Sequence, residues 1–461
     1  MVRSCNLRQR SAAWRSLGLF LLAVVVVAAN VRSAAAAGSL RASVVKVDIT
    51  PDKPQWLLGF AARQSTGVHD HIYHRIVALD DGETEFFLVQ SDLCVISPSV
   101  YDEVARELEK ETGIKRLQVW WTVTHTHSAP EVGPPGLPAA MSARMNDRYQ
   151  HESNLEYSAW VEKKLIEGVK QARANLEPAR LGVNWGMAMA NINRRARDVE
   201  GPAFLGMNPD GPVDRRIGLI RLEKADGKLL ALIANYAMHG TVLGPGNLLI
   251  SADAPGVAEE YVEEKLGAPM LFINGAAGNV APIYSVPSVY PDFDAGAVEH
   301  FVAHQHLSQF RVLLGDKILD ANRLLGSTTP QVKLSLGEMV VETPRKAELD
   351  RWAPDLGDYI RKPSTGATVV RIPIRFLKIN NDIAIWTAPL ELFNEIAVAI
   401  RNGSPFPYTF YFGYCNGWLG YMPTKAEFAY GGYEPSASPY TDQAEEDLTH
   451  AVLSHLQALA R

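Results

Sequence analysis

The chain has 461 residues, of which 47% are hydrophobic and 21% are charged, and its formal net charge is −6. This composition is typical of a globular protein that is long enough for one large core or two modest ones. The acidic balance argues against nucleic acid as a partner, because such binding depends on cationic contacts with phosphate.

The first 37 residues have the pattern of a secretory signal peptide. A basic leader precedes an apolar run of 13 residues, Leu17 to Ala29, and small residues follow at 33–38. That run is shorter than the roughly 20 residues of a membrane-spanning helix. We therefore expect cleavage near Ala37 and export of the remainder, with an uncleaved anchor as the alternative. Cleavage would remove five arginines and no acidic residue, and would change the formal charge to −11.

Strand-like and helix-like segments alternate along residues 38–461. We predict strands at 42–50, 86–96, 117–125, 270–275, 332–342, 368–378, 382–387 and 408–414, and a hairpin at 217–240 that turns at Asp226-Gly227. We predict helices from Ser97-Pro98 to Gly113, from Asp253, over 297–325, over 390–401 and from about Asp442. The alternation indicates a mixed α/β (α+β) fold, which we expect to form one catalytic domain over residues 38–461. No later segment is long and apolar enough to span a membrane.

Two cysteines, Cys94 and Cys415, remain after the signal peptide. Export would permit a disulfide between them. Both lie in apolar, strand-like contexts, which favours two buried thiols.

Two histidines stand at alternate positions in the stretch "WTVTHTHSAP" (121–130). Because residues i and i+2 of a strand share a face, His125 and His127 are predicted to point the same way at the end of a strand. Binding and catalytic residues often lie where strands end in loops. The alternatives are a half-exposed pair without a ligand, and one core histidine with a surface neighbour.

A second apolar strand also ends in a histidine, His239. This repetition suggests that the strand ends converge on a metal, and a catalytic zinc site needs three or four ligands with one position open. Glu391, predicted in the first turn of a helix, is the carboxylate candidate. Its alternative role is a favourable charge at a helix N-terminus.

Two further histidine clusters are weaker candidates. His69 and His71 would share a strand face and form a second candidate site. The cluster "HQH" (304–306) falls in a predicted helix, where residues i and i+2 do not share a face, so we interpret it as surface.

Six segments together resemble the neutral, non-lysosomal ceramidases over roughly residues 42–440. They are "THTHSAP" (124–130), "NINR" (191–194), "YAMHGTVLG…ISAD" (236–253), "NGAAGNVAP" (274–282), "APLE" (388–391) and "GYMPTKAEFAYGGYE" (420–434). The resemblance implies a zinc-dependent enzyme that cleaves the amide bond of ceramide to give sphingosine and a fatty acid.

The resemblance also implies a set of site residues. It implies the zinc ligands His125, His239, Glu391 and Tyr421, and contacts to the reacting amide from His127, Arg194 and Tyr433. A zinc-bound water with a pKa near 7 would be the nucleophile. His127 would shuttle the proton, and Arg194 and Tyr433 would hold the oxyanion or the polar head of the substrate. Without the resemblance, Tyr421 would be interpreted as a core aromatic and Arg194 as part of a solvated basic loop.

The sequence departs from the ceramidase pattern in three places. At 278–283, Asn279 replaces the aspartate and Ala281 replaces the serine that the family treats as catalytic. Ser285 lies four residues further on and is not expected to substitute for it. The loop at 129–138 is altered, and we expect that the additional C-terminal β domain of ceramidases is lacking.

The sequence therefore predicts an exported, Zn²⁺-dependent hydrolase. Its expected substrate is an amide or ester of a lipid-like or small N-acyl compound, and we expect peripheral contact of the protein with membrane lipid. One alternative is a genuine ceramidase that works without the serine. The other is an inactive zinc-containing binding protein.

Overall fold

The computed structural model describes residues 38–60, 62–133, 151–199, 201–285, 297–346 and 354–461. The expected signal peptide lies outside these ranges, as does the second half of the altered loop, residues 134–138. A helix with the length and apolarity to cross a membrane does not occur within the described ranges.

Strands and helices alternate along the described chain, and they are numbered here in chain order. The strands are β1 (Arg41–Asp48), β2 (Trp56–Leu57), β3 (Arg63–Gln64), β4 (Gly67–Val68), β5 (Tyr73–Asp80), β6 (Glu85–Ser91), β7 (Val119–Val123), β8 (Glu177–Met187), β9 (Asn191–Ala196), β10 (Phe204–Asn208), β11 (Arg216–Lys224), β12 (Leu229–Tyr236), β13 (Leu249–Ile250), β14 (Met270–Asn274), β15 (Val280–Pro282), β16 (Leu334–Pro344), β17 (Ile360–Arg361), β18 (Val369–Ile379), β19 (Ile383–Thr387), β20 (Glu391–Leu392), β21 (Tyr408–Phe412) and β22 (Tyr421–Met422). The α-helices are α1 (Pro98–Thr112), α2 (Leu155–Ala174), α3 (Asp253–Leu266), α4 (Ala297–Phe310), α5 (Asp316–Arg323), α6 (Asn394–Gly403), α7 (Lys425–Tyr430), α8 (Tyr433–Ala437) and α9 (Ala444–Leu459). The fold is mixed α+β, as the sequence predicted.

Several local signals in the sequence form the elements that they predicted. Ser97 caps α1, with its Oγ accepting a hydrogen bond from the backbone N–H of Ser99 at 3.3 Å, and Gly113 ends the helix at a φ of 75°. The predicted hairpin is β11–β12, with Gly227 in its turn at a φ of 84°. The predicted helix 297–325 is instead two α-helices separated by a π-helical turn at Arg311–Gly315.

The largest sheet has the strand order β14-β12-β11-β8-β1-β5-β6-β7. Most neighbours are antiparallel, but β6–β7 and β12–β14 are parallel. The sheet curls so that its two outer strands meet. They are joined by a hydrogen bond of 3.2 Å, which the Asn274 side chain at the end of β14 donates to the carbonyl of Thr124, just after β7. The segments that follow β7, β12 and β14 are therefore neighbours.

A second sheet, β16-β18-β19-β21, packs on this one. The alternating side chains of β5 show the layers: Ile76 and Ala78 pack in a core with helices α1 and α2, whereas Val77 and Leu79 pack in a core with the second sheet. Helices α6 and α9 cover the opposite face of the second sheet. The result is a four-layer α/β/β/α arrangement, in which central strands are buried on both faces.

The end of the second sheet is bonded to the meeting point of the first. The N–H of Gly413, just after β21, donates to the carbonyl of Asn274 at 2.8 Å, and the N–H of Asn416 donates to the carbonyl of Trp121 at 2.8 Å. A small sheet, β10-β9-β15, and the two-residue pair β20–β22 complete this junction. The residues of the candidate site lie on these elements or just beyond them, except Tyr433, which begins helix α8.

Candidate metal centre

His125 and His127 lie beyond a strand, not on one. Strand β7 ends at Val123, and His125 has a left-handed backbone with a φ of 62°. Thr126 forms a parallel bridge with Gly240, and a Cβ on Gly240 would lie 2.7 Å from the Thr126 Cα. The prediction that strand alternation aligns the two imidazoles was therefore wrong, because a loop clamped against Gly240 brings them together.

The two imidazoles of His125 and His239 are oriented by backbone carbonyls. The Nδ1 of His125 is 2.7 Å from the carbonyl oxygen of Cys94, and the Nδ1 of His239 is 3.1 Å from that of Val280. A carbonyl oxygen only accepts hydrogen bonds, so each Nδ1 carries the hydrogen. Each Nε2 is then the nitrogen that faces the cluster, and it can bind a metal ion when it carries no proton.

Glu391 lies between these two nitrogens. Its Oε2 is 3.3 Å from the Nε2 of His125 and 3.3 Å from the Nε2 of His239. Its Oε1 accepts a hydrogen bond from the indole nitrogen of Trp418 at 2.9 Å. The prediction that Glu391 lies in a helical turn was wrong, because it forms strand β20, paired with Tyr421, and α6 begins three residues later.

The atoms of this cluster fit a metal cation. The ligating atoms of His125, His239 and Glu391 lie within 4.8 Å of one another, and all three residues are buried. The His239 Nε2 and Glu391 Oε2 have no hydrogen-bond partner within the described ranges. Buried electron-rich atoms facing one another are unfavourable unless a cation lies between them. Two imidazole nitrogens and a carboxylate oxygen form a donor set that suits zinc.

A second, overlapping group of potential ligands consists of Cys94, His125 and His127. The Cys94 Sγ is 3.9 Å from the His125 Nδ1. That nitrogen is already committed to the Cys94 carbonyl, so the geometry favours the group that contains Glu391. Cys94 and Cys415 are both buried and free, which confirms the prediction of two thiols.

The charges of the cluster are strongly coupled. Burial works against ionisation of Glu391, but His125 and His239 outweigh it and hold the pKa of Glu391 well below its usual range. Burial, aided by Arg194 and His125, lowers the pKa of His239 to about 3. For His125, the Cys94 and Glu391 side chains outweigh burial and raise its pKa to about 10. The cluster thus holds a carboxylate at neutral pH.

His127 lies beside the cluster and is also buried. Its Nε2 is 3.2 Å from the His125 Nε2, and its backbone N–H donates to the carbonyl of Gly240 at 2.9 Å. The ring packs against Phe60, and a Cβ on Gly59 would approach its Cγ to 2.5 Å. Burial and the neighbouring imidazoles lower the pKa of His127 well below its usual value, so the ring is neutral at neutral pH.

Arg194, Tyr421 and Tyr433 lie together at the edge of the cluster. Arg194 on β9 donates to the Tyr421 Oη at 3.1 Å and to the Glu434 Oε1 at 2.8 Å. The Tyr421 and Tyr433 rings are 5.7 Å apart. Interpreting Arg194 as part of a solvated loop was wrong, because the side chain is buried and paired. Burial raises the pKa of Tyr421 well above its usual value.

Reasoning from the sequence missed four residues of this centre. They are Cys94, which orients His125, Trp418, which binds Glu391, Glu434, which pairs with Arg194, and Tyr414, whose ring stacks on His125 at 4.2 Å. Glu434 ends a motif already recognised in the sequence. The other three carry no local signal, because they reach the centre through the packing of distant strands.

The positions that depart from the ceramidase pattern have structural partners. The side chain of Asn279 accepts a hydrogen bond from the N–H of Asn394 at 2.9 Å and donates to Glu395 at 2.8 Å. Ala281 is buried in β15 and has no hydroxyl. The Ser285 Oγ donates to the carbonyl of Thr241 at 3.2 Å, which agrees with the expectation that it does not replace the serine.

The other histidine clusters do not form metal groups in the described chain. His69 and His71 precede β5 and do not share a strand face; they bind Asp70 and Asp48, respectively. His304 stacks on His69, and His306 stacks on Tyr284. Both of these rings are only partly exposed, so the surface interpretation was too simple.

The fold and the cluster together define a class: mixed α+β proteins with a buried imidazole–carboxylate centre beyond their strand ends. The family model described as neutral/alkaline non-lysosomal ceramidase, N-terminal, matches residues 42–285. The chain therefore belongs to the neutral/alkaline non-lysosomal ceramidase family, as its motifs predicted.

Individual relatives agree with this assignment. A neutral ceramidase of Pseudomonas aeruginosa is 27% identical over 275 residues, which are 57% of this chain and 40% of the relative. A neutral ceramidase of Mycobacterium tuberculosis is 27% identical over 218 residues, which are 45% of this chain and 33% of the relative. The match thus spans less than half the length of either relative. The crystal structure of neutral ceramidase from P. aeruginosa has a TM-score of 0.71 at 19% identity, covering 92% of this chain and 75% of that one.

Proposed function

We propose that the chain is an exported, zinc-dependent hydrolase that cleaves the acyl–nitrogen bond, or an ester bond, of a lipid-like N-acyl substrate. The observation that supports this most directly is the convergence of two imidazole nitrogens on one carboxylate oxygen, at 3.3 Å each. Family membership supports the hydrolytic class, and the names of the relatives support an N-acyl lipid as the substrate. Contact with a membrane surface follows from such a substrate and belongs to the same proposal.

The proposed metal ligands are His125, His239 and Glu391, with the phenol of Tyr421 as the fourth. A zinc ion held by them would polarise the substrate carbonyl and lower the pKa of a bound water to about 7. The Tyr421 Oη accepts a hydrogen bond from Arg194, but burial outweighs this and keeps the pKa of the phenol well above its usual value, so it would bind the ion as a neutral oxygen donor.

The remaining residues handle the proton and the polar groups of the substrate. His127, neutral and beside the His125 Nε2, accepts a proton from the attacking water at its own Nε2 and passes it to the leaving amine. Arg194 and Tyr433 hold the carbonyl oxygen or the head of the substrate. Because Glu434 neutralises Arg194, the arginine provides directed N–H groups more than net charge.

Ceramide itself is a second candidate substrate, which the names of the relatives favour. Ala281 argues against it, because an alanine cannot make the hydrogen bond that the family serine makes. Loss of one such group typically costs about 10²- to 10³-fold in rate and does not abolish the chemistry.

The proposal is tested on protein purified without residues 1–37. We expect about one zinc per chain and turnover of an N-acyl amide that a chelator abolishes and zinc restores. His127→Ala should keep the metal and lose about 10²- to 10⁴-fold in kcat, whereas His125→Ala should lose both the metal and turnover.

Three results would contradict the proposal. Metal without turnover of any amide or ester in a broad panel would indicate a binding protein. Turnover that persists in His125→Ala, or protein that binds no metal, would show that the cluster is not the active centre.

A further inference from the structure

Tyr414 lies against the imidazoles that we propose as metal ligands. Its ring stacks on His125 with a centroid distance of 4.2 Å and an interplanar angle of 29°, and it meets His239 edge-on at 6.4 Å. Stacking places the phenol over the face of the imidazole and not at the Nε2 edge that would hold a metal ion. The position of Tyr414 therefore suits a group that touches the reacting atoms better than a metal ligand.

The hydroxyl of Tyr414 is buried and uncommitted. The residue is 1% exposed, and its Oη has no hydrogen-bond partner among the described residues. The other phenol at the cluster, Tyr421, is engaged with Arg194. Buried hydroxyls nearly always have a partner, so an orphan beside a reaction centre indicates that its partner arrives with the ligand.

The backbone holds Tyr414 in an unusual conformation at this place. Its φ is 51°, a left-handed value that is rare for a bulky residue. The strain is maintained by the next residues: Cys415 bridges Thr122, and Asn416 both donates to and accepts from the backbone of Trp121. Strand β7, which leads to His125, thus also fixes the tyrosine over it. Strain of this kind concentrates at functional sites.

We propose that Tyr414 is a further catalytic residue, whose hydroxyl donates a hydrogen bond to the carbonyl oxygen of the scissile acyl group as that oxygen becomes negatively charged. This inference rests on the proposed hydrolysis. The Tyr414 hydroxyl would provide the hydrogen-bond donor that Ala281 cannot provide. The inference also identifies the reacting group as an acyl carbon that becomes tetrahedral.

The test compares Tyr414→Phe, which keeps the stacked ring, with Tyr411→Phe as a matched control. Tyr411 is also a buried tyrosine next to the same strand end, but its hydroxyl donates to the carbonyls of Ala388 and Leu390, at 3.4 Å each. The substrate is N-octanoylsphingosine. We expect Tyr414→Phe to lower kcat by about 10²- to 10³-fold with little change in KM. Metal content and Tm should stay at the wild-type level, and Tyr411→Phe should keep wild-type kcat.

A binding readout separates this inference from the proposed function. Octylphosphonate carries tetrahedral oxygens like those of the transition state, and its effect on Tm can be measured without turnover. We expect octylphosphonate to raise the Tm of wild type and Tyr411→Phe, and to raise that of Tyr414→Phe much less. If wild type hydrolyses the amide and Tyr414→Phe matches it, the inference is wrong and the function stands. If wild type does not hydrolyse this amide, the kinetic comparison uses another amide or ester of the panel. If it hydrolyses none of them, the function fails, and equal phosphonate shifts would overturn the role of Tyr414 as well.

Discussion

At the scale of single residues, Glu391 has its two oxygens in different environments. Its Oε2 faces two imidazoles, while its Oε1 is fixed by the indole N–H of Trp418 at 2.9 Å. A fixed second oxygen restricts rotation of the carboxylate, so the first oxygen is held ready for a cation. Partners of this kind orient metal ligands and raise metal affinity.

We predict that Trp418→Phe will weaken metal binding by about 10- to 100-fold, because Glu391 loses the hydrogen bond that orients it. The measurement is competition with a chromophoric zinc chelator. The matched control is Trp160→Phe, which changes a tryptophan on helix α2 that is 36% exposed. Equal zinc affinities in the two variants would show that Trp418 does not support the centre.

At the scale of elements, the position of Glu391 depends on a pair of two-residue strands. Strand β20 lies parallel to β22, which carries Tyr421, and Gly278 lies against the backbone of β20. The N–H of Gly278 donates to the carbonyl of Leu392 at 2.9 Å, and a Cβ on Gly278 would lie 2.5 Å from the backbone carbonyl oxygen of Glu391. Glycine is therefore needed for this close approach and not for an unusual φ.

We predict that Gly278→Ala will displace β20, with a stability cost of about 1–3 kcal/mol from overpacking. Zinc affinity should fall by more than tenfold because Glu391 moves with the strand. Gly326→Ala is the control, since no described atom would lie within 4 Å of its new Cβ. The prediction would be contradicted by zinc affinity and thermal stability in Gly278→Ala that match those of the control.

The sequence predicted elements better than it predicted the positions of ligands. Helix α1 and the hairpin carry their own signals, Ser97 and Asp226-Gly227, and formed where expected. The conformations of His125 and Glu391 did not follow from local pattern, because bridges to Gly240 and Tyr421 determine them. Tyr421 itself was identified only through the family resemblance, since a buried tyrosine has the same pattern in any core.

At the scale of the whole molecule, the layers are joined by buried polar groups as well as by apolar packing. His74 on β5 bonds the Ser91 Oγ at 2.6 Å and the carbonyl of Val161 on helix α2 at 3.1 Å. It thereby links the first helical layer to the large sheet. Burial lowers its pKa to about 4, although the bond to Val161 opposes this.

We predict that His74 will contribute acid sensitivity to the whole fold. In the unfolded chain a histidine takes up its proton near pH 6.5, whereas in the folded protein His74 does so only near pH 4. The unfolded state therefore binds more protons between these values, and stability falls with decreasing pH by about 1.4 kcal/mol per unit. Urea unfolding at several pH values in this window measures the slope.

The variant His74→Gln should show a shallower decrease in unfolding free energy than wild type over that window. His450→Gln changes an exposed histidine on α9 and should keep the wild-type slope. If the unfolding free energies of all three proteins decrease with the same slope as the pH falls, His74 is not a source of the acid sensitivity.

The curling of the large sheet has a consequence for the order in which the protein matures. His125 follows β7, His239 follows β12, and Glu391 lies far along the chain beyond the second sheet. A nascent chain emerges from the N-terminus, and contacts between distant segments form slowly because long loops must close. His125 and His239 are therefore synthesised before Glu391, the carboxylate that completes the cluster. We therefore expect the proposed metal ion to bind after the chain has folded and not to nucleate folding.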